Sequence, residues 1–267
     1  LDGFATLTAR ADALAVIEVG LDAALRDAFG WRLDPPWAAL LAGGDPTSAT
    51  PWLAADLMHV RAESLTARVM SLAVDQNAAD ADFAVLFDAL KPWLADEAIE
   101  LARVVGGRAL LRCPANLGDP GVAAPDAVLG RDLRDVLPRD LTWQRRFNEM
   151  QIVLTQQSSN ESRSARQLPA WNALWFWGLG SAATCPSLPV AALASVDPLL
   201  HALAARQRLP VIARDQPANG PVLRDLRDPR AFQQAWDAGL RPSRALVRCV
   251  DGGGWRVRPW QRWRVWR

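Results

Sequence analysis

The sequence predicts an α/β protein, with a mixed sheet flanked by helices and a C-terminal β-hairpin. Three observations carry this. Residues 66–113 run strand, helix, hairpin; ALWFW at 173–177 is a short, wholly apolar run ending at Gly178; and helices in the final third begin at Asp-Pro pairs between strand-like runs.

Residues 10–43 read as two short helices broken by WRLDPP at 31–36. TARVMSLAV, from Thr66, is strand-like. ADADFAVLFDAL at 79–90 sets Phe83, Leu86, Phe87 and Leu90 on one helical face. AIELARVV and RALLRC flank Gly106-Gly107, a pair that permits the positive φ of a tight turn, which completes a β-α-β-β unit. Residues 114–139, rich in Pro, Gly and Asp, read as a linker between an N-terminal α/β region, 1–113, and a C-terminal one, 140–267. At 267 residues a single domain is the alternative. Asp140 precedes a helix whose Trp143, Phe147, Met150 and Leu154 form a core-facing stripe. ALWFW is the buried strand that follows.

Asp197-Pro198 and Asp228-Pro229 each place a capping carboxylate before a proline in the first turn. The second of these helices stacks Phe232 with Trp236 and stops at Gly239. RALVRCV, the loop from Asp251 to Gly254, and WRVRPW form the closing hairpin. In it Trp255 and Val257 are expected to face the core and Arg256 and Arg258 water, with Pro259 confining the strand to a sheet edge.

A net charge of +1 gives no global case for nucleic acid or an anionic membrane, so only a local patch can make one. Lys91 is the one lysine, and tyrosine is absent, a bias that reflects a GC-rich coding sequence better than an arginine-specific function. Cys113, Cys185 and Cys249 form no CxxC pair and read as small buried thiols in a reducing compartment. The opening LDGFATLTAR lacks the basic and apolar regions of a signal peptide and lacks an initiator Met, and no apolar run reaches membrane-span length. The expectation is a cytoplasmic protein whose true start lies upstream.

The densest motif is NEMQIVLTQQSSNESRSARQLPAWNALWFWGLG at 148–180. It sets Asn160, Arg163 and Asn172 ahead of an aromatic strand and a Gly178-x-Gly180 turn. Backbone N–H groups at such a turn could approach an anion, with Arg163 as counter-charge. The same residues also read as an Asn-capped helix, an arginine paired with a nearby acid, and a tight turn after a core strand.

This segment resembles the proteobacterial RpfE-type regulatory family, often labelled cofactor-independent phosphoglycerate mutase. The matching residues are Asn148, Glu149, Gln151, Leu154, Asn160, Arg163, Pro169, Asn172, Leu174, Trp175, Trp177, Gly178 and Gly180. PWLAADLMHVRAE at 51–63, with His59 and Arg61, is similar to a second family segment, and LKPW at 90–93 and LGRDLRDVLP at 129–138 fall in the expected order. Where the family has H-x-H-P, this chain has Thr155, Gln157 and Ser158; where it has Gly, this chain has Gln167.

The resemblance implies an alkaline-phosphatase-like core and a ligand site at His59, Arg61, Asn160, Arg163, Asn172, Trp175, Trp177, Gly178 and Gly180. Related mutases are two-metal enzymes, and two metals about 4 Å apart demand a dense set of carboxylates and imidazoles. This chain has His59 and His201 alone, so the expectation is no metal, no cofactor and no assigned catalytic residue.

His59, in Asp56-x-x-His59-x-Arg61, could be a general base, a phosphate contact, or a histidine hydrogen-bonded in a loop. His201, among leucines, reads as structural. No P-loop or G-x-S-x-G elbow occurs, and Ser158, Ser159 and Ser162 have no histidine nearby in sequence. The last 13 residues, WRVRPWQRWRVWR, place Trp260, Arg262, Trp263 and Arg264 where they could bind a protein partner or single-stranded nucleic acid, or form a terminal strand. The leading reading is a non-catalytic RpfE-type regulatory protein that binds a protein partner or senses a phosphorylated small molecule. A mutase-like or phosphatase enzyme is the alternative, and nucleic-acid binding through the C-terminal segment is a third.

Overall fold

A computed structural model describes residues 2–9, 11–17, 20–45, 47–64, 66–73, 82–239, 242, 244–249, 251 and 253–258. In chain order the elements are α1 (Asp2–Thr8), β1 (Asp12–Ala13), α2 (Leu21–Phe29), α3 (Trp37–Leu41), β2 (Trp52–Ala62), β3 (Ala67–Leu72) and α4 (Asp82–Asp96). Then come β4 (Glu100–Val105), β5 (Arg108–Arg112), α5 (Pro125–Val128), α6 (Leu133–Val136), α7 (Leu141–Thr155), α8 (Ser158–Ala165) and β6 (Ala173–Gly180). The chain ends with β7 (Ala192–Ala194), α9 (Pro198–Arg206), β8 (Val222–Arg224), α10 (Pro229–Asp237), β9 (Ala245–Arg248) and β10 (Gly254–Val257).

The α/β class holds, but the strands do not join one mixed sheet: among the described residues they form three. The chain divides into two compact units, Leu1–Asp34 with Pro186–Arg267, and Pro35–Cys185. These boundaries differ from those expected at 113 and 140.

The Pro35–Cys185 unit is built on β2. Its first half pairs antiparallel with β5 and its second half with β3, while β6 pairs along its other edge. β4 pairs with β5 through the Gly106-Gly107 turn, as the β-α-β-β reading expected. Leu53 to Met58 are all buried, so β2 is the middle of the core. Phe176 of β6 lies against Trp93 of α4 and against Trp143 and Phe147 of α7, with ring centroids 6.1, 5.5 and 5.5 Å away. The α7 stripe is buried as expected, and the Asp140 carboxylate accepts from the Trp143 N–H at 3.0 Å.

Residues 114–139 are not a linker. Leu117, Ala124, Val128 and Val136 are buried, and Gly130 and Arg131 bond the backbone of Val69, covering the β3 edge. This irregular segment takes the hydrogen bonds that a further strand would have made.

In the other unit β7 and β8 run parallel around α9, and β1, β10 and β9 form an antiparallel sheet. Asp197 and Asp228 cap α9 and α10 as expected. The hairpin forms, but β10 is its central strand, flanked by β9 and by β1 through Asp12 and Ala13. The edge placement expected from Pro259 therefore fails, and Pro259 itself lies outside the described residues. Phe4 meets Phe232 and Trp255 edge-on, and Phe232 stacks on Trp236. No helix among the described residues is long and apolar enough to cross a membrane.

Candidate functional site

The 158–172 stretch is tied to β2 by side chains. Asn160 lies inside α8 rather than capping it; Gln157 holds the cap position. Asn160 Nδ2 donates to the Leu154 and Trp171 carbonyls at 2.8 and 3.0 Å, and its Oδ1 accepts from the Trp171 N–H at 2.8 Å. Asn172 repeats the pattern across the sheet. Its Oδ1 accepts from Val60 N and its Nδ2 donates to Val60 O, both at 2.8 Å, beside the register shift between His59 and Val60. An asparagine amide thus continues the β2–β6 edge past its last backbone pair, Met58 with Ala173, on the side of β2 opposite the β3 register shift. His59, in a strand rather than a loop, donates from Nδ1 to the Ala170 carbonyl at 2.8 Å.

Arg163 is 4% exposed. Its Nε donates to the Pro169 carbonyl at 2.9 Å and its Nη1 to Asp82 at 2.9 Å, while the guanidinium sits over Trp171. Arg166 shares Asp82 at 2.8 Å. The sequence reading of an arginine paired with an acid holds, with the acid supplied by α4 rather than nearby in sequence. Glu149 accepts from Trp93 Nε1 at 2.8 Å, which joins the motif to the LKPW segment.

Trp175 and Trp177 are buried in β6. Trp175 donates to the Ala123 carbonyl at 3.0 Å, and Trp177 carries Arg108 over its ring while its Nε1 has no partner among the described residues. Gly178 and Gly180 serve packing. A Cβ on Gly180 would stand 2.7 Å from Pro36 Cβ, and one on Gly178, whose φ is +68°, would stand 3.3 Å from Trp37 Cβ. The glycines admit the start of α3 against β6, so the Gly-x-Gly turn expected to hold an anion is filled by the chain itself. Arg61 stands apart, exposed at the end of β2 beside Glu63. Trp260, Arg262, Trp263 and Arg264 lie outside the described residues.

Sequence reasoning missed two charged clusters. Asp56, fully buried at the middle of β2, takes a bidentate pair from Arg108 at 2.6 and 2.7 Å. At the carboxyl ends of β7 and β8, Ser195 Oγ donates to Asp225 at 2.9 Å, and Arg227 bonds both Asp225 and Asp197. Burial pushes the Asp225 carboxyl up, but its bonds from Arg227 and Ser195 outweigh this and hold it below the usual carboxylate range. The Asp197-Pro198 pair, visible in the sequence, marked the place but not the cluster. His201 Nε2 bonds the Ser195 carbonyl at 2.6 Å rather than its hydroxyl, so no Ser-His relay forms.

The two-metal chemistry implied by the resemblance does not fit these residues. Both imidazoles face carbonyl oxygens, and Asp56, Asp82, Asp197 and Asp225 are held by arginines. No group of three or more His, Cys, Asp or Glu among the described residues could hold a metal ion. The Cys113 thiol is pushed up to about 12 by burial, with Arg146 opposing, and so carries little thiolate.

No protein-family model matches the chain, and no curated protein matches it. Several solved structures are distantly similar, two of which follow. The PH0037 protein from Pyrococcus horikoshii aligns at 16% identity and a TM-score of 0.41, over 75% of this chain and 49% of that one. A cofactor-independent phosphoglycerate mutase from Thermoplasma acidophilum aligns at 16% identity and a TM-score of 0.38, over 84% of this chain and 72% of its own. The chain thus spans about half the length of the PH0037 protein.

Proposed function

We propose that the protein is a non-catalytic binding protein of the RpfE type, on an alkaline-phosphatase-like core without metal ligands, and that it acts through a protein partner. In this reading the 148–180 motif is a fastener that stiffens the β2–β6 sheet. Its phosphate-sensing role is set aside because Asn160 and Asn172 spend their amides on the backbone, Arg163 is buried against Asp82 and the Pro169 carbonyl, and His59 Nδ1 is held by the Ala170 carbonyl.

The observation that carries the partner reading is the edge strand β4. Among the described residues it pairs with β5 alone, and its end at the Gly106-Gly107 turn exposes Val104 and Val105, the latter by 53%. Edge strands are ordinarily blunted by charge. Here Arg103 is turned to the Leu41 carbonyl and Glu100 to Arg112, which leaves the valine end open. An extended segment of a partner adds to such an edge through main-chain hydrogen bonds, with the valines as side-chain contacts.

The test has two arms. The purified protein is assayed for mutase and phosphatase turnover with added Mn²⁺ or Zn²⁺, alongside metal content; stoichiometric metal with turnover would establish the enzyme reading instead. Partner capture is compared between wild type and Val105→Lys. Loss of a specific, stoichiometric partner in the variant supports the edge-strand reading, and unchanged capture removes β4 from it.

A further inference from the structure

The unit formed by Leu1–Asp34 and Pro186–Arg267 holds a cavity of about 1470 Å³ that plays no part in the motif or in β4. Phe4, Leu21, Leu25, Leu200, Phe232 and Leu246 give it an apolar wall from α1, α2, α9, α10 and the hairpin, and charged residues line the rest. The volume exceeds the roughly 300–1,000 Å³ usual for small-molecule pockets. The cavity is partly open to solvent, so a ligand can enter it from bulk water. Its position is also informative. Arg224, Asp225 and Arg227 enter the lining where the parallel strand β8 ends, and ligands of open α/β sheets bind at the carboxyl ends of parallel strands.

The charges at that end are unequal. Arg227 is matched by Asp225 and Asp197, and Arg258 reaches Asp12 at 3.8 Å. Arg224 has carbonyl partners instead, donating to Arg214 O and, at 2.7 Å, to Gln216 O. Among the described residues no carboxylate lies within ion-pair distance of it; Asp215 acts on it only from farther away. Burial lowers its affinity for its proton, yet a guanidinium stays charged at neutral pH. Arg244 and Arg256 also line the cavity, and Arg224 is the lining arginine whose guanidinium is held in place by neutral acceptors, with no acid within ion-pair distance among the described residues.

We infer that this cavity binds a small amphipathic anion, whose apolar body lies against the Phe4, Leu25 and Phe232 wall and whose carboxylate or phosphate group faces Arg224. The site is independent of the partner edge at β4 and extends the protein's function to ligand sensing in a different unit. An anion there gains charge-assisted hydrogen bonds that an uncharged molecule of the same shape does not.

The experiment is calorimetric titration of the full chain with decanoate, decyl phosphate and decanol, each below its aggregation concentration. The inference expects saturable one-to-one binding of an anion, with decanol weaker by about tenfold or more. The tighter of the two anions identifies the headgroup. Arg224→Leu is expected to bring the anion down to the level of decanol. Because Arg224 also anchors the 214–216 loop, a second variant, Ala24→Phe, fills the apolar wall and leaves Arg224 in place; it is expected to weaken both anions and decanol. Circular dichroism verifies that each variant is folded. Equal affinity for decanol and the anions, no binding to wild type, or unchanged binding in a folded Ala24→Phe would each overturn the inference.

Discussion

Replacing Asn160 separates a fastener from a ligand site. The side chain is 5% exposed and makes three hydrogen bonds. In Asn160→Ala the Leu154 carbonyl keeps the N–H groups of Gln156 and Gln157, but the N–H and carbonyl of buried Trp171 both lose their asparagine partner. Each buried polar group left unsatisfied costs about 1–3 kcal/mol, so the variant is expected to lose about 2–5 kcal/mol. With a urea m-value of about 2 kcal/mol/M, a loss near 3 kcal/mol moves the midpoint down by about 1.5 M. The assay is urea unfolding read by tryptophan fluorescence, paired with amide exchange at Trp171, which should accelerate most. Asn160→Asp sharpens the test because it keeps the shape. A carboxylate oxygen would then face the Leu154 and Trp171 carbonyls, so the folded state favours the protonated acid and its pKa rises above the ordinary value of about 3.9. A raised carboxyl pKa means the folded state binds more protons than the unfolded one. Stability therefore falls as pH rises from about 4 through the folded pKa and recovers on acidification. If Asn160→Ala unfolds within about 0.5 kcal/mol of wild type, the side chain is not holding the fold and its amide is free for a ligand.

Gly180→Ala is expected to cost about 1–3 kcal/mol, because its Cβ would meet Pro36 at 2.7 Å; unchanged thermal unfolding would mean that α3 does not pack there. Arg163→Met removes the buried one of the two arginines that bond Asp82 and should destabilise by about 3 kcal/mol, the low end for breaking a buried pair, as read by urea unfolding. Native protein treated with iodoacetamide at pH 8 should alkylate Cys185 and Cys249 well before Cys113, whose thiol is pushed up to about 12; peptide mapping reads the order. Asp225 is held below the usual carboxylate range, so its contribution is full above about pH 4 and lost as pH falls through its folded pKa. Asp225→Asn should therefore destabilise at neutral pH and flatten the acid limb of the stability profile; an unchanged limb would show that Arg227 does not stabilise the charged form.

What the sequence made legible was local. The caps at Asp140, Asp197 and Asp228 need a carboxylate and an N–H two or three residues on, and all three form. The α7 stripe needs only helical spacing, and the Gly106-Gly107 turn only two adjacent glycines. The partners that decide function are distant. Arg163 reads equally well as an anion ligand or half of an ion pair until Asp82, 81 positions away, is placed beside it. Asp56 interrupts the apolar run of β2 and gave no sign that this is the central strand, because Arg108, which makes its burial tolerable, comes from β5. Residues 114–139 have the composition of a linker, yet their backbone covers β3, a role that needs no periodicity. β1 is two residues long and carries no pattern, although its pairing with β10 joins the N-terminal segment to the last sheet. The cavity at Arg224 was equally hidden, since its lining comes from both ends of the chain. These cases share a cause. Asparagine, arginine, tryptophan and glycine are the residues an anion site requires, and also those that extend a strand's edge past its last backbone pair, neutralise a buried acid and let a helix approach a strand. In the 148–180 segment the second set of demands accounts for Asn160, Arg163 and Asn172, so a motif match there measures packing as readily as chemistry.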